Sequence, residues 1–453
     1  MAVRLVILGG GPAGNQAATN AARLGAQVTL VERDIVGGAA HLWDCIPSKA
    51  MIATGGAMAF VERAAGMGLS HLHAGLDVEG LERRIRGIED RLRVSVESLL
   101  ADQGVRLLRG AGRLTGPNAV AVETADGTAE IETDAILVAT GSRPRIPDWC
   151  RPDGERVLTT RQAYPPPVMP EHLVVIGSGV TGVEFVHMFA AFGCAVTLVV
   201  SRQQVLPQKD PEVAAALEEE FLRRGVRLLI GARAVGVDRE GPGVCVRCDD
   251  GRVVRASHAL LAVGSVPNSD GLGLDEAGVE VDGRGYVPVN QHCQSNLAHV
   301  YAAGDVSGRL PLSSVAAMQG RKIAEHVMGL QAREHRHVDY DKAAQAIFTE
   351  PEIAEVGVAE AEAFASGRKI RVTKVPFSAS PKALINHDTR GFVKIVSDPA
   401  TGIVLGGSIV GRHAAELISV IALAVNCNLR VTDVVDSLLV HPSLAEVLSE
   451  AAE

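Results

Sequence analysis

The chain has 453 residues, too many for one hydrophobic core, which predicts roughly two to four domains. Hydrophobic residues make up 47% and charged residues 21%, so a large core is available and global disorder is not expected. The net charge of −9 argues against a nucleic-acid partner.

The apolar run at 3–8 is cut off by Gly9 to Gly14 and lacks a cleavage pattern, so it reads as a buried strand and not as a leader. No run of about 18 uninterrupted apolar residues follows, and no membrane segment is expected. The seven cysteines are dispersed and odd in number, which suggests a reducing cytoplasm. Cys245 and Cys248 form the one CxxC. No second Cys/His pair lies near it, and no metal site is expected.

In chain order, the strand at 3–8 runs into Gly9-Gly-Gly11-Pro12-Ala13-Gly14, then a helix to residue 24, a strand at 27–31, and Glu32. Gly9 allows the tight turn, Gly11 lets backbone approach a pyrophosphate, and Gly14 lets helix pack on strand. The helix N-terminus offers N–H groups and a positive dipole to phosphate. Glu32 can accept hydrogen bonds from ribose hydroxyls. Together these predict a dinucleotide-binding module. Helices are expected at 50–65 and 81–103, the second with Ile85, Ile88, Leu92, Val96 and Leu99 at helical spacing. Short alternating segments follow, and a strand at 135–139 runs into Thr140-Gly141 at a ligand crevice.

The pattern then returns. A strand at 173–176 leads into Gly177-Ser-Gly179-Val-Thr-Gly182, a helix to 192 and a strand at 196–200. The position equivalent to Glu32 is Val200. An acid there would repel a 2′-phosphate, and none is present. Ser201 and Arg202 follow and can hydrogen-bond and neutralise that phosphate. The alternative for Arg202 is a solvated turn. Further strands end at Gly264 and at Gly304-Asp305, a helix is expected at 313–328, and a polar linker at 331–341. Residues 343–453 mix strands at 392–396 and 403–410 with helices at 414–426 and 431–439, without a nucleotide fingerprint.

Between the first module and its next helix stands Gly-Gly-Ala-Ala-His-Leu-Trp-Asp-Cys-Ile-Pro-Ser-Lys, residues 37–49. This segment resembles the active-site stretch of the flavoprotein disulfide reductases, the dihydrolipoamide dehydrogenase-like family. That family's pattern carries two cysteines with four residues between them. The second is Cys45, but Ala40 stands where the first belongs. One sulfur cannot run dithiol exchange, because a second thiol is needed to resolve the mixed disulfide.

The resemblance covers essentially the whole chain. It implies an α/β fold with two Rossmann-like dinucleotide-binding domains, for FAD and NAD(P), plus a C-terminal α+β dimerisation domain. The implied division is 1–147 and 268–335 for FAD, 148–267 for NAD(P) and 336–453 for dimerisation. FAD is then held by Gly9, Gly11, Pro12, Ala13, Gly14, Glu32, Arg33, Gly38, Lys49, Thr140, Gly141, Gly304 and Asp305. NADPH or NADH is held by Gly177, Gly179, Gly182, Ser201, Arg202 and Gly264. Lys49 and Glu184 form an ion pair beside the flavin, and His441 with Glu446 reaches the partner subunit's flavin site in a homodimer. Ser443-Leu-Ala-Glu446 is also a good capping box, which leaves a structural place open for Glu446.

With Ala40 in place, the expected acceptor is not a disulfide, and a quinone fits best. The segment and the Val200-Ser-Arg202 corner resemble the NAD(P)H:quinone reductase branch that lacks the dithiol. Soluble NAD(P) transhydrogenase, a dihydrolipoamide dehydrogenase-like protein and a single-cysteine peroxidase or oxidase cycling Cys45 through sulfenic acid remain open. A catalytically idle flavoprotein is argued against by the retained Lys49, Glu184 and His441.

Overall fold

The structure, a computed structural model, describes residues 2–70, 73–330 and 337–453, apart from the side chains of residues 40 and 41. The linker expected at 331–341 lies outside the described residues up to 336. Two compact units are formed. The first comprises residues up to Ser48, Glu82–Arg145 and Ser265–Tyr340; the second comprises Lys49–Leu81, Ile146–Gly264 and Asp341–Glu453.

The first unit is built on a five-stranded parallel sheet in the order Val300–Ala302, Ala135–Val138, Arg4–Leu8, Gln27–Glu32, Arg106–Arg109. Its central strand is apolar at every position after Arg4 because both faces are covered. Leu5 and Ile7 pack with Ala17, Ala21 and Ile323 of two helices, while Val6 and Leu8 pack with Val120, Val122 and Val287 on the other face. Helices Pro12–Arg23 and Ser313–Val327 meet where Gly320 has no side chain; a Cβ there would lie 2.1 Å from the Ala13 carbonyl oxygen.

The second unit contains a second parallel sheet, ordered Arg227–Ile230, Ala195–Val200, His172–Ile176, His258–Leu261, Val157–Thr159. It also contains a five-stranded antiparallel sheet, ordered Gln345–Ile347, Glu352–Gly357, Val404–Gly411, Phe392–Ser397, Arg371–Pro376. Ile418, Ile421 and Val425 of helix Ala414–Cys427, and Val447 and Leu448 of helix Glu446–Ala452, share a core with Val393, Ile395 and Ile409 of that sheet. The expected α/β architecture, two Rossmann-like sheets plus an α+β region, is therefore present. Among the described residues no helix is long and apolar enough to cross a membrane.

Three local expectations need correction. The helix expected at 50–65 begins at Ile46 and is preceded by a π-helical turn, Ala40–Cys45. Pro47 does not stop it: it stands where the π-helical turn passes into the α-helix, a place where the backbone ladder is already irregular. The amphipathic helix, Val78–Asp102, buries Leu100 and exposes Leu99, since the apolar stripe drifts with the 3.6-residue turn. The helix expected at 431–439 stops at Val435, beyond which Leu438 and Val440 are exposed.

Cys245 and Cys248 lie in strand Gly243–Cys248, an odd number of positions apart, so their side chains take opposite faces. Burial raises both thiols above the usual range.

His187, on helix Val180–Ala191, is fully buried; burial first, and the Arg224 charge second, push its pKa down to about 3. The folded state therefore holds a neutral imidazole that the unfolded chain protonates near pH 6.5. Stability is lost as pH falls through the window from 6.5 to about 3, by roughly 4 kcal/mol at its foot. Thermal midpoints measured from pH 7 to 4 should fall less steeply in His187→Asn, which keeps an acceptor for Arg224. Parallel slopes would remove His187 from the acid response.

Candidate active site

The expected FAD residues gather at the carboxyl ends of the first parallel sheet. Gly9 follows Leu8, Glu32 ends its strand, Thr140 and Gly141 follow Val138, and Gly304 and Asp305 follow Ala302. Ligands of open parallel sheets bind at that edge. Gly9 has φ +107° and a Cβ on it would sit 2.3 Å from the Ala139 oxygen; one on Gly14 would sit 2.0 Å from the Gly9 oxygen. Only glycine permits that packing. Gly38, with φ +82°, crosses Gly11 so closely that a Cβ would reach 2.3 Å from the Gly11 Cα.

Gly11 caps helix Pro12–Arg23 without any side-chain hydrogen bond, and Pro12 and Ala13 form its first turn. The bare N-terminus and the side-chain-free crossing leave a cradle that suits a diphosphate. FAD thus fits the residues present. Glu32 accepts the Gly10 N–H at 2.7 Å and the Asp34 N–H at 2.8 Å, so it braces the turn it was expected to serve. Arg33 pairs with Asp34 on the surface. Thr140 donates to the Asn268 carbonyl at 2.6 Å. Asp305 accepts from Ser142 at 2.6 Å, and the Gly304 N–H donates to Gln319 at 2.8 Å.

The second parallel sheet repeats the arrangement. A Cβ on Gly182 would lie 1.8 Å from the Gly177 oxygen, and one on Gly179 would meet nothing within 4 Å. Gly179 begins helix Val180–Ala191, again with no side-chain cap. Here the turn is braced differently: the Leu206 N–H donates to the Ser178 carbonyl at 2.8 Å. Val200 is buried, while Ser201 and Arg202 are exposed at the strand's end. Gly264, with φ +92°, lies just beyond strand His258–Leu261 at the same edge.

Lys49 and Glu184 are brought together. Lys49 lies in the first turn of helix Ile46–Arg63, and its Nζ is 2.8 Å from Glu184 Oε2. The Glu184 side chain is only 8% exposed. Its other oxygen accepts the Phe348 N–H at 3.0 Å, and the Phe348 ring lies 4.8 Å from the Lys49 ammonium. Cys45 ends the π-helical turn, with Sγ 3.9 Å from the Ser313 hydroxyl.

His441 Nδ1 lies 2.7 Å from Glu446 Oε1, and its side chain is 70% exposed. The Ser443 N–H donates to Glu446 Oε2 at 2.8 Å. That hydrogen bond first, and His441 second, hold the Glu446 carboxyl below its usual range. The capping box is half formed: Glu446 receives its backbone bond, but the Ser443 hydroxyl has no partner among the described residues. Glu446 therefore holds both the helix entrance and His441.

Sequence reasoning missed Gly10, Ser142, Asn268, Gln319 and Phe348. Each acts through a partner distant in the chain, and apart from Gly10, which lies inside the first fingerprint, none carries a local motif.

Two dinucleotide cradles, a cation paired beside a helix N-terminus and an α+β region with an exposed His–Glu pair define a nicotinamide-nucleotide and flavin-dependent oxidoreductase. Residues 3–320 match the pyridine nucleotide-disulphide oxidoreductase family, and residues 343–452 match its dimerisation domain; the chain belongs to this family. Its cofactors are FAD and NAD(P)H. The NAD(P)H dehydrogenase (quinone) of Mycobacterium tuberculosis is 41% identical over 465 aligned residues, covering 100% of this chain and 94% of that one. The dihydrolipoyl dehydrogenase of Zymomonas mobilis is 35% identical, covering 99% of this chain and 96% of its own. The crystal structure of LpdA from Mycobacterium tuberculosis matches with a TM-score of 0.94 at 41% identity, over 99% of both chains.

Glu32→Ala should lose FAD on gel filtration at high dilution. One or two charge-assisted hydrogen bonds vanish, each worth about 1.5–3 kcal/mol. Full retention of FAD would remove Glu32 from the cofactor site.

Proposed function

We propose that the chain is a homodimeric, cytoplasmic FAD enzyme that oxidises NAD(P)H and reduces a quinone. The observation that carries this reading is the lone Cys45: with Ala40 in the other position, no dithiol can form there. The name of the Mycobacterium tuberculosis relative supports a quinone as acceptor. Residues 1–147 and 268–335 form the FAD domain, 148–267 the NAD(P) domain and 336–453 the dimerisation domain in this reading.

Bound FAD would supply two-electron chemistry between the nicotinamide and the acceptor. The glycine cradles of Gly9, Gly11 and Gly14 and of Gly177, Gly179 and Gly182 hold the two diphosphates. Lys49 places a positive charge beside the ring, and Glu184 fixes that charge in place. Arg202, unpaired among the described residues and exposed, takes the 2′-phosphate of NADPH. His441 donates Nδ1–H to Glu446, which leaves Nε2 to give a proton to a quinone oxygen. Glu446 holds the ring in the orientation from which this proton is given.

Stopped-flow reduction by NADPH, followed by mixing with quinone, lipoamide, NAD⁺ or peroxide, tests the reading. Quinone should reoxidise the enzyme and lipoamide should not. Robust lipoamide turnover would sink the proposal. Turnover of NAD⁺ or of peroxide in place of quinone would make the chain a transhydrogenase or a single-cysteine peroxidase.

Within that assay His441→Ala should slow the quinone step by about 10²–10⁴-fold and leave flavin reduction unchanged. A silent substitution would return His441 to a purely structural place at the helix entrance. Arg202→Ala should shift the kcat/KM ratio towards NADH by about 1.5–3 kcal/mol, the worth of a hydrogen bond to a charged group. An unaltered ratio would mean that the 2′-phosphate lies elsewhere. Val200 is left untouched, because a carboxylate at that buried position would unsettle the strand.

A further inference from the structure

The second unit also holds a partly buried set of charges that the proposed reaction does not use. Three guanidinium groups, Arg63, Arg224 and Arg390, interleave with three carboxylates, Glu220, Glu350 and Asp388. Arg390 grips Asp388 with two bonds of 2.8 and 2.7 Å and reaches Glu220 at 3.0 Å. Glu350 accepts from Arg63 and, at 2.9 Å, from Arg390. Its backbone oxygen accepts from Arg224 at 3.0 Å. Burial alone would raise the Glu350 pKa, but the Arg63 charge and the Arg390 bond outweigh it and hold Glu350 below the usual carboxylate range.

Glu350 sits at the tip of a hairpin between strands Gln345–Ile347 and Glu352–Gly357, in which Ile347 faces Ile353. Two residues earlier in the same tip is Phe348, whose N–H holds Glu184 and whose ring lies against Lys49. Lys49 and Arg63 are in the first turn and at the last position of one helix, Ile46–Arg63. Glu184 and His187 are one turn apart on another, and His187 Nδ1 lies 3.1 Å from Arg224. Both helices are thus tied to one hairpin tip, at Phe348 and at Glu350.

We propose that this tip is a positioning element for the Lys49–Glu184 pair. Glu350, caged by Arg63, Arg224 and Arg390, fixes the Phe348 N–H and so sets how Glu184 faces Lys49. The proposal rests on the reading of that pair as the one that serves the flavin. The physical reason is geometric. A carboxylate with one oxygen committed to a fixed N–H has its other oxygen committed as well. With the tip released, Glu184 turns freely and Lys49 loses its single place. Removing the Glu350 charge also leaves the partly buried Arg63, Arg224 and Arg390 with only Glu220, which Arg223 shares, and Asp388, an imbalance that pushes the tip away.

The test uses the FAD-loaded enzyme with Glu350→Gln, and Arg390→Lys where Glu350→Gln does not retain FAD. Amide hydrogen exchange at Phe348 should speed up. Single-turnover flavin reduction should slow by about 2- to 30-fold at unchanged KM for NAD(P)H, the usual span for coupling through such networks. The two-electron flavin potential should move in the same direction as in Lys49→Met. In a Glu184→Gln background the Glu350 effect should vanish, because it acts through Glu184. Unchanged exchange at Phe348, or a Glu350 effect that persists undiminished in Glu184→Gln, would overturn the proposal. Lys49→Met with an unchanged rate and potential would instead overturn the flavin reading, while the exchange result still decides the clamp.

Discussion

A buried carboxylate organises the second unit. Glu184 is almost withdrawn from water, and an unpaired charge in that place would cost several kcal/mol. Its two oxygens are held by one ammonium and one backbone N–H, from Lys49 and Phe348. Those two partners come from a helix start and a hairpin tip far apart in the chain. Two elements that share no local sequence are thereby required to meet at one point. The interleaved arginines and acids around Glu350 extend the same logic: each buried charge needs a partner, and each partner fixes another segment.

Both glycine fingerprints were legible because their physics is local. Gly9 and Gly14, like Gly177 and Gly182, stand where a Cβ would enter a carbonyl oxygen of the same turn or the adjoining strand. A reader of the sequence can infer such a constraint from spacing alone. The strands around them were legible for a similar reason, since Leu5 to Leu8 are apolar at every position only when both faces are covered. The start of helix Ile46–Arg63 was not, because Pro47 reads as a breaker until its place at the junction of the π-helical turn and the α-helix is known. Phe348 was invisible for a stronger reason. Its contribution is a backbone N–H, which every residue but proline carries.

The two nucleotide turns show how one fingerprint is specialised. In the first, Glu32 spans back from the strand's end to the Gly10 N–H and places a carboxyl group at that corner. In the second, Val200 turns into the core, and the brace passes to the Leu206 N–H on Ser178. The corner is thereby freed of negative charge, and Arg202 is left in solvent. The same backbone path accepts a carboxylate or a valine at the strand's end because the brace can come from another residue.

Loss of one sulfur does not require loss of the rest of the site. The nicotinamide-to-flavin step needs a cradle, a placed cation and a fixed partner for that cation, and none of these is a thiol. What a dithiol adds is a second redox couple downstream of the flavin. Without it, the proposed acceptor would have to take both electrons from the flavin directly. Such an acceptor still needs a proton when its oxygen is reduced. His441, oriented by Glu446 and largely exposed, is suited to that need whether the oxygen or a sulfur waits for the proton. In the proposed reaction the task of His441 is set by proton balance and not by the atom that receives the proton.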